Sequence, residues 1–251
     1  MDAKPRSIPK TRLIPKARRP DIKGPFETAM ALGTRFPGTL GYIARRKLKR
    51  RHCQRAQDTF SEVLADTMAG DLCLDLGANV GEFTRRMAQT GADVISFEPD
   101  PGAFSVLEKT VHGLSNVTLV AKAAGHQNDT LMLHRSDKWS AENPAERTKS
   151  SSLVNPGKSA DNTNAVMVEV VDIIAFIETL DRDIRIIKMD IEGAEWAIMN
   201  RLIDHPVLDR IDCIFVETHE RIDPAKYVPM FDALQERAEQ LTKPYINLYW
   251  I

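Results

Sequence analysis

Short apolar segments alternate with amphipathic segments from about residue 58 to the end of the sequence. Apolar runs of this length are typical of strands that are buried on both faces, and the spacing between them suits helices. This alternation predicts an α/β fold with a doubly wound, mainly parallel sheet. The predicted strands are residues 72–76, 94–97, 117–121, 184–189, 211–216 and 246–250, and the predicted helices are residues 82–89, 102–111, 195–203 and 225–240.

The first predicted strand, LCLDL, leads directly into the turn GANVG and then into a helix. Gly77 and Gly81 allow the backbone to turn tightly and to approach a ligand, and Asn79 tolerates left-handed geometry. Ala78 lies within the same turn. Amides at the start of the helix point toward a molecule that lies over the strand end. The turn is therefore a candidate nucleoside-binding loop.

Glu98 ends the next predicted strand, about 20 residues beyond Gly77, where a doubly wound fold places a carboxylate that binds ribose hydroxyls. The two features together predict a cofactor that contains ribose. The dinucleotide motif is G-x-G-x-x-G, whereas Asn79 stands at the second glycine position here. Asp75 would repel a pyrophosphate but suits an ammonium group, directly or through water. S-Adenosylmethionine has an ammonium group and no phosphate, so it is the predicted cofactor, unless Asp75 and Asn79 only stabilise the turn.

Four blocks occur in order along the sequence: LDLGANVGEFT at 74–84, FEPDP at 97–101, IIKMDIEGAEW at 186–196 and IFVETHE at 214–220. In these blocks the chain resembles the FkbM family of methyltransferases. The resemblance implies a Rossmann-like class I methyltransferase fold whose parallel sheet ends in an antiparallel strand. It also implies methyl transfer to a hydroxyl group, often on a sugar or natural product. Only one clear strand, YINLYWI, follows the last predicted helix, whereas the class I fold normally ends in a β-hairpin.

The resemblance also implies positions for the cofactor. Its methionine end would contact the turn residues Asp75, Gly77, Asn79 and Gly81. Glu98 would hold the ribose. Ala123 and Ala124, placed at the end of the third predicted strand, would flank the adenine.

The fourth long strand ends in the charged sequence KMDIEGAE. Period-two alternation puts Lys188, Asp190 and Glu192 on one side, and the cost of burying charge predicts that they face the ligand crevice. Glu217 and His219, at the end of the next strand, would open on to the same crevice.

Methyl transfer to a hydroxyl group needs an aligned oxygen that loses its proton, and His219, Asp190 or Glu192 could accept it. Asp190 is the first choice for a substrate or cofactor contact, although orientation alone could suffice. Structural alternatives remain open: Lys188 could pair with Asp190 or Glu192, and Glu192 could cap the next helix. The types of residue at Asp190, Glu217 and His219 suit magnesium, but their spacing is weak support and no metal site is predicted.

Residues 1–56 contain 16 Lys or Arg and three acidic residues, although the net charge of the whole chain is −1. We therefore expect a basic, partly disordered N-terminal extension with a candidate helix at 1–56, and a methyltransferase domain at 57–251. The extension could lie on the acidic body, or it could bind nucleic acid, a phosphorylated glycan, a membrane surface or a partner protein.

Residues 125–165 are polar and rich in turn-forming residues, as in a disordered insertion or a lid, and are expected to shape the choice of acceptor. One hairpin arm is predicted at 131–134, and the following sequence VMVEVVDIIAFIE predicts an edge strand and a short helix. Trp139 and Trp196 could stack on a substrate, with Trp196 more typical of a core residue.

The scattered residues Cys53, Cys73 and Cys213 suit buried thiols in a reducing compartment. Neither a membrane-spanning run nor a signal-peptide pattern is found, which predicts a cytoplasmic protein.

The predicted function is O-methylation of a saccharide or a hydroxylated small molecule. The alternatives are a nucleic-acid methyltransferase that uses the basic region, a nicotinamide-dependent oxidoreductase, and a non-catalytic adenosylmethionine-binding protein. The missing middle glycine argues against the oxidoreductase.

Overall fold

The computed structural model describes residues 12–15, 20–134, 165–220 and 222–250. Two helices, α1 (Gly24–Gly33) and α2 (Gly38–Ala65), come before the first strand. The remaining elements are β1 (Leu72–Leu76), α3 (Glu82–Ala88), β2 (Asp93–Phe97), α4 (Pro101–Thr110), β3 (Val117–Val120), β4 (Ala123–Gly125), β5 (Asp129–His134), β6 (Ala165–Asp172), α5 (Ile173–Thr179), β7 (Ile184–Met189), α6 (Glu195–Leu202), a 3-10 helix (Pro206–Arg210), β8 (Ile211–Glu217), α7 (Pro224–Gln240) and β9 (Tyr245–Trp250).

The central sheet has six strands in the order β3-β2-β1-β7-β8-β9, and every neighbouring pair is parallel. Strands β1, β7 and β9 are buried along their whole length, as expected when helices cover both faces of a sheet. The predicted fold class is confirmed. Each of the six predicted strands and four predicted helices is found within one residue of its predicted ends.

The last strand of the sheet corrects an expectation. The resemblance implied an antiparallel final strand, but β9 runs parallel to β8, with Cys213 paired to Tyr245 and Ile214 to Ile246. The physical reason is that a single helix, α7, joins the two strands, and a helical crossover returns the chain in its original direction.

A second sheet of three strands has the order β4-β6-β5. β6 is parallel to β4 and antiparallel to β5. The predicted hairpin arm at 131–134 belongs to β5, and the predicted edge strand is β6. Residues 135–164, which include Trp139 and most of the predicted insertion, lie outside the described residues.

Helix α2 runs without a break across the proposed domain boundary at residue 56 and packs on the central sheet. The Phe60 ring is fully buried and lies 4.8 Å from the Trp250 ring and 5.1 Å from the Phe215 ring, between ring centroids. Basic side chains of the 1–56 segment also pair with acidic side chains: Arg45 with Asp232 (2.7 Å), Lys49 with Glu220 (2.6 Å) and Arg55 with Glu27 (2.6 Å). The Arg55–Glu27 pair lies within the segment itself, whereas at Arg45 and Lys49 the basic segment lies on the acidic body.

We predict that Phe60→Ala lowers the free energy of unfolding by about 3–5 kcal/mol, because it leaves a cavity among packed aromatic rings. Phe36→Ala removes a ring that is 63% exposed and should change the value by less than about 0.5 kcal/mol. Denaturant unfolding measures both. Equal losses for the two variants would show that α2 does not depend on this packing.

Candidate functional site

The turn after β1 has the left-handed backbone that its sequence predicts. The φ angles are +80° at Gly77, +49° at Asn79 and +86° at Gly81. The amides of Gly77 and Ala78 both donate to the carbonyl oxygen of Phe97, at 3.0 and 2.9 Å. These bonds hold the turn against the end of β2.

The same turn lies directly against the carboxyl end of β7. The Asp190 amide donates to the Leu76 carbonyl at 2.9 Å. A Cβ atom added to Gly77 would lie 1.8 Å from the Asp190 carbonyl oxygen. Only glycine fits at position 77, so the turn and Asp190 form one edge of the crevice.

Glu98 lies beside this turn at the end of β2 and is only 7% exposed. One carboxylate oxygen accepts the Asn79 amide and the other accepts the Asp100 amide, each at 2.8 Å. Burial raises the pKa of Glu98 to about 7, against the lowering effect of these two amides. An ionised carboxylate has about four acceptor positions, so each oxygen retains capacity for a ligand hydroxyl.

The Asp100 side chain caps α4 by accepting the amides of Gly102 and Ala103, at 2.7 and 3.2 Å. With Pro101 as the first helical residue, the sequence FEPDP therefore both ends β2 and begins α4. This cap fixes the chain direction immediately after Glu98.

Lys188 and Asp75 form a buried pair behind the turn. The Lys188 Nζ atom lies 3.5 Å from Asp75 Oδ1 and donates to the Gly77 carbonyl at 2.8 Å. Asp75 Oδ2 accepts a 2.6 Å hydrogen bond from the Thr84 hydroxyl. Burial disfavours the charge on Lys188, but Asp75 and Asp190 outweigh it and raise the pKa of the ammonium. The arrangement favours a structural role for Lys188 as a brace of the turn.

A second cluster lies at the ends of β7 and β8, around the imidazole of His219. Its Nε2 atom is 3.2 Å from Glu192 Oε2, 3.6 Å from Glu217 Oε1 and 3.8 Å from Asp190 Oδ1. The structure thus brings together all the charged residues that the sequence placed in the crevice. Asp190 also lies 3.8 Å from the Lys188 ammonium, which joins the cluster to the turn.

Glu195 holds His219 in place, and sequence reasoning did not find it. Its fully buried carboxylate accepts the amides of Ile191 and Gly193, at 3.0 and 2.8 Å, and lies 2.9 Å from His219 Nδ1. The preceding turn is left-handed at Glu192, with φ +53°. The sequence signal that could have identified Glu195 is its position: it is a carboxylate three residues beyond Glu192, at the first position of a helix.

Glu217 and His219, at the carboxyl end of β8, both have a raised pKa, for different reasons. Burial lowers the pKa of His219, but the hydrogen bond to Glu195 and the nearby carboxylates raise it to about 9. Burial, followed by the charge on Asp190, raises the pKa of Glu217 to about 7. A protonated imidazole cannot accept a proton, so this arrangement disfavours His219 as a general base at neutral pH.

Ala123 and Ala124 are not at the end of the third strand, which corrects that expectation. β3 ends at Val120, and the chain turns there because the Lys122 amide donates back to the Val120 carbonyl at 2.8 Å. The two alanines belong to β4 of the small sheet, which pairs with β6. Ala123 packs with β6 side chains, and Ala124 packs in the main core.

Other side chains singled out in the sequence have structural surroundings. Trp196 is buried and stacks on Tyr227, with ring centroids 5.6 Å apart. Cys53, Cys73 and Cys213 are free and buried, as predicted. Among the described residues, no helix combines the length and the apolar character needed to cross a membrane.

The part of the chain that carries this site matches a known family. The family model described as the methyltransferase FkbM domain matches residues 75–241, which is well over half of the chain. The match begins at Asp75 and includes the turn, Glu98 and both strand ends. No curated protein matches the chain.

We predict that Gly77→Ala is more destabilising than Gly113→Ala. Both glycines have a similar positive φ, but a Cβ at Gly113 meets nothing within 4 Å. Gly113→Ala should therefore lose only about 1–2 kcal/mol of unfolding free energy from backbone strain. Gly77→Ala should lose at least about 1–3 kcal/mol more, because the turn must move away from Asp190. Similar losses in denaturant unfolding would argue against a tight contact at this edge.

Proposed function

The chain belongs to the FkbM methyltransferase family, and from this premise we propose that it transfers a methyl group from S-adenosylmethionine to a hydroxyl group. The acceptor is a saccharide or a hydroxylated small molecule. The observation that carries the proposal is the 2.8 Å hydrogen bond between the Asn79 amide and Glu98, because it brings a glycine-rich turn and a buried carboxylate to one point.

The residues at this point fit an adenosine-containing cofactor. The Glu98 carboxylate would accept the ribose hydroxyls, for which each oxygen retains acceptor capacity. The turn of Gly77, Ala78, Asn79 and Gly81 would hold the methionine end, where small or absent side chains let a ligand approach the backbone. Asp75 would act indirectly, through the turn that it supports. Ala123, just beyond the end of β3, would flank the adenine. When bound, adenosylmethionine supplies an electrophilic methyl group on a positively charged sulfur.

The cluster around His219 would receive the acceptor. Asp190 lies against the turn and is the residue that we assign to contact the acceptor. Glu192 would accept the proton that the hydroxyl group loses, since it is a carboxylate within 3.2 Å of the His219 imidazole on the same side of the crevice. Holding the hydroxyl in line with the methyl donor would supply much of the rate acceleration.

A cavity near the end of β8 supports a small, hydroxylated acceptor. It has a volume of about 470 Å³ and lies between α2, α7 and β9. This is the size range of small-molecule pockets. Lys49 lines this cavity and donates to the Thr218 carbonyl at 2.7 Å. Thr218 lies between Glu217 and His219 in the chain. Glu220, the residue after His219, also lines the cavity and pairs with Lys49 at 2.6 Å, so the cavity lies next to the segment that carries the candidate catalytic cluster.

The lining of this cavity is both polar and aromatic. His52 is 4% exposed, and neither of its ring nitrogens makes a hydrogen bond within the described part of the chain. Burial, and then the charge of Arg55, lowers the pKa of His52 to about 4, so its ring is neutral at physiological pH. The rings of Phe231 and Tyr249 also line the cavity. The neutral His52 ring and the aromatic rings suit a molecule that carries several hydroxyl groups. The charged lining residues offer it further polar contacts: Arg45, Lys49, Glu220, Asp232 and Glu236.

The basic N-terminal segment favours one alternative acceptor, a nucleic acid. Against this, Arg45 and Lys49 are already paired with acidic side chains of the body. Binding to RNA or DNA that weakens steeply with added salt, together with methylation of that nucleic acid, would replace the saccharide proposal.

We predict that the purified chain binds S-adenosylhomocysteine and does not bind NAD, as measured by calorimetry. Glu98→Gln should weaken S-adenosylhomocysteine binding at least tenfold, because hydrogen bonds to an ionised acceptor contribute about 1.5–3 kcal/mol. Glu108→Gln, the same change on the exposed side of α4, is the matched control and should leave the affinity unchanged. A folded protein that ignores S-adenosylhomocysteine would overturn the proposed cofactor.

The affinity for S-adenosylhomocysteine should also fall as pH decreases below 7. Burial raises the pKa of Glu98 to about 7, so below this pH the carboxyl group becomes protonated and loses acceptor capacity. The limiting slope is about tenfold per pH unit, provided that the ligand binds only the ionised form. In Glu98→Gln this component should be absent. Equal pH profiles for the two proteins would show that Glu98 does not titrate with binding.

A further inference from the structure

The carboxyl ends of β7 and β8 bring two carboxylates and an imidazole to one point. Asp190, Glu217 and His219 each offer one ligand atom, and these atoms all lie within 4.8 Å of one another. Asp190 and Glu217 are partly exposed, whereas His219 is 2% exposed. The set therefore has a buried nitrogen at its base and two oxygens toward the crevice.

The Nε2 atom of the His219 imidazole faces the carboxylates of this set. Among the described residues, His219 Nε2 is buried and makes no hydrogen bond. Its contacts with the carboxylates of Asp190 and Glu217 are longer than a hydrogen bond, at 3.8 and 3.6 Å, and the nearer Glu192 carboxylate, at 3.2 Å, makes an ion-pair contact without a hydrogen bond. An imidazole nitrogen that is buried without a hydrogen bond is unfavourable unless a ligand uses it.

The other imidazole nitrogen is held as in a metal-binding histidine. His219 Nδ1 lies 2.9 Å from the carboxylate of Glu195, which accepts two backbone amides in turn. A carboxylate that fixes the ring and leaves Nε2 facing a ligand is the usual support of a metal-bound histidine. Glu195 has no access to the crevice, because it is fully buried, so its role is to position the ring.

Charge in the cluster also favours a cation. Asp190, Glu192 and Glu217 all lie within 3.8 Å of His219 Nε2. The Lys188 ammonium is 3.8 Å from Asp190 but is also engaged by Asp75 and the Gly77 carbonyl. The Lys49 ammonium, which also acts on Glu217, is engaged by the Thr218 carbonyl and by Glu220. A divalent ion between the carboxylates would offset their mutual repulsion.

We propose that Asp190, Glu217 and His219 bind a divalent cation. Binding would release the proton of His219 Nε2 to solvent, because only the neutral imidazole nitrogen is a metal ligand. Two carboxylates suit Mg²⁺ and Mn²⁺, and the imidazole nitrogen makes Mn²⁺ the better match. Three protein ligands leave further coordination positions open. The next step rests on the proposed function. An acceptor hydroxyl would occupy one of these positions, where the cation would orient it and lower its pKa. Glu192 would then remain as the proton acceptor. The sequence alone predicted no metal site.

The test is a titration of the full chain with Mn²⁺ alone, followed by electron paramagnetic resonance, which separates free from bound ion. The expected result is one bound Mn²⁺ per chain. Asp190→Asn and His219→Gln should each weaken binding at least tenfold. Asp183→Asn is the matched control, because it is the same substitution at the opposite end of β7 on a side chain that is 80% exposed. It should leave binding unchanged.

Glu195→Gln tests the positioning role. Gln keeps one acceptor oxygen but has no charge to fix the ring, so Mn²⁺ binding should weaken by about 10–100-fold, the range for residues that orient metal ligands. Melting temperatures are measured for every variant. If Asp190→Asn or His219→Gln does not fold, Glu217→Gln, which changes a partly exposed side chain, takes its place with the same expected loss.

Two results would overturn the inference: wild-type protein that binds no Mn²⁺, or folded ligand variants that bind it as tightly as wild type. S-Adenosylhomocysteine binding is measured separately, without metal. Mn²⁺ binding without S-adenosylhomocysteine binding would reject the proposed function and keep the metal site. The reverse result would reject the metal site alone.

Discussion

The buried ammonium of Lys188 joins the two halves of the candidate site. It contacts Asp75, the Gly77 carbonyl and Asp190, and so connects the turn after β1 with the end of β7. A buried charge is tolerated only when it is paired and hydrogen-bonded, and here the partners are on both strand ends. The close approach of Gly77 to Asp190 adds a steric constraint at the same place. Lys188 and its partners therefore act together with the Asp190–Leu76 backbone hydrogen bond to fix the position of the turn relative to the acidic cluster.

On either side of Lys188, the sheet presents different chemistry. Toward β2, backbone amides surround the carboxylate of Glu98, an arrangement that suits a neutral ligand with hydroxyl groups. Toward β8, carboxylates surround an imidazole whose ring is fixed by Glu195. Because neighbouring parallel strands end at the same edge, a cofactor on one side and an acceptor on the other would meet over β1 and β7. The proposed transfer reaction requires this proximity.

The N-terminal segment is more than a charged appendage. Helix α2 buries Phe60 among aromatic side chains of the central sheet, and its Arg45 and Lys49 pair with the body. Lys49 and His52, on the same helix, line the cavity beside β8. A segment that is basic in sequence thus supplies one wall of the proposed acceptor pocket, and part of its charge is matched locally by acidic residues of the body.

The sequence by itself determined the strands of the central sheet, the glycine-rich turn and the position of Glu98, because these follow from local periodicity and from the backbone preferences of single residues. It also placed Asp190, Glu192, Glu217 and His219 at strand ends that face one crevice. Only the tertiary structure decided the parallel direction of β9, the separate small sheet that contains Ala123, and the roles of Glu195 and Lys188. These features depend on contacts between residues that are distant in the chain, such as Lys188 with Gly77, and neither local pattern nor residue type specifies which distant groups will meet.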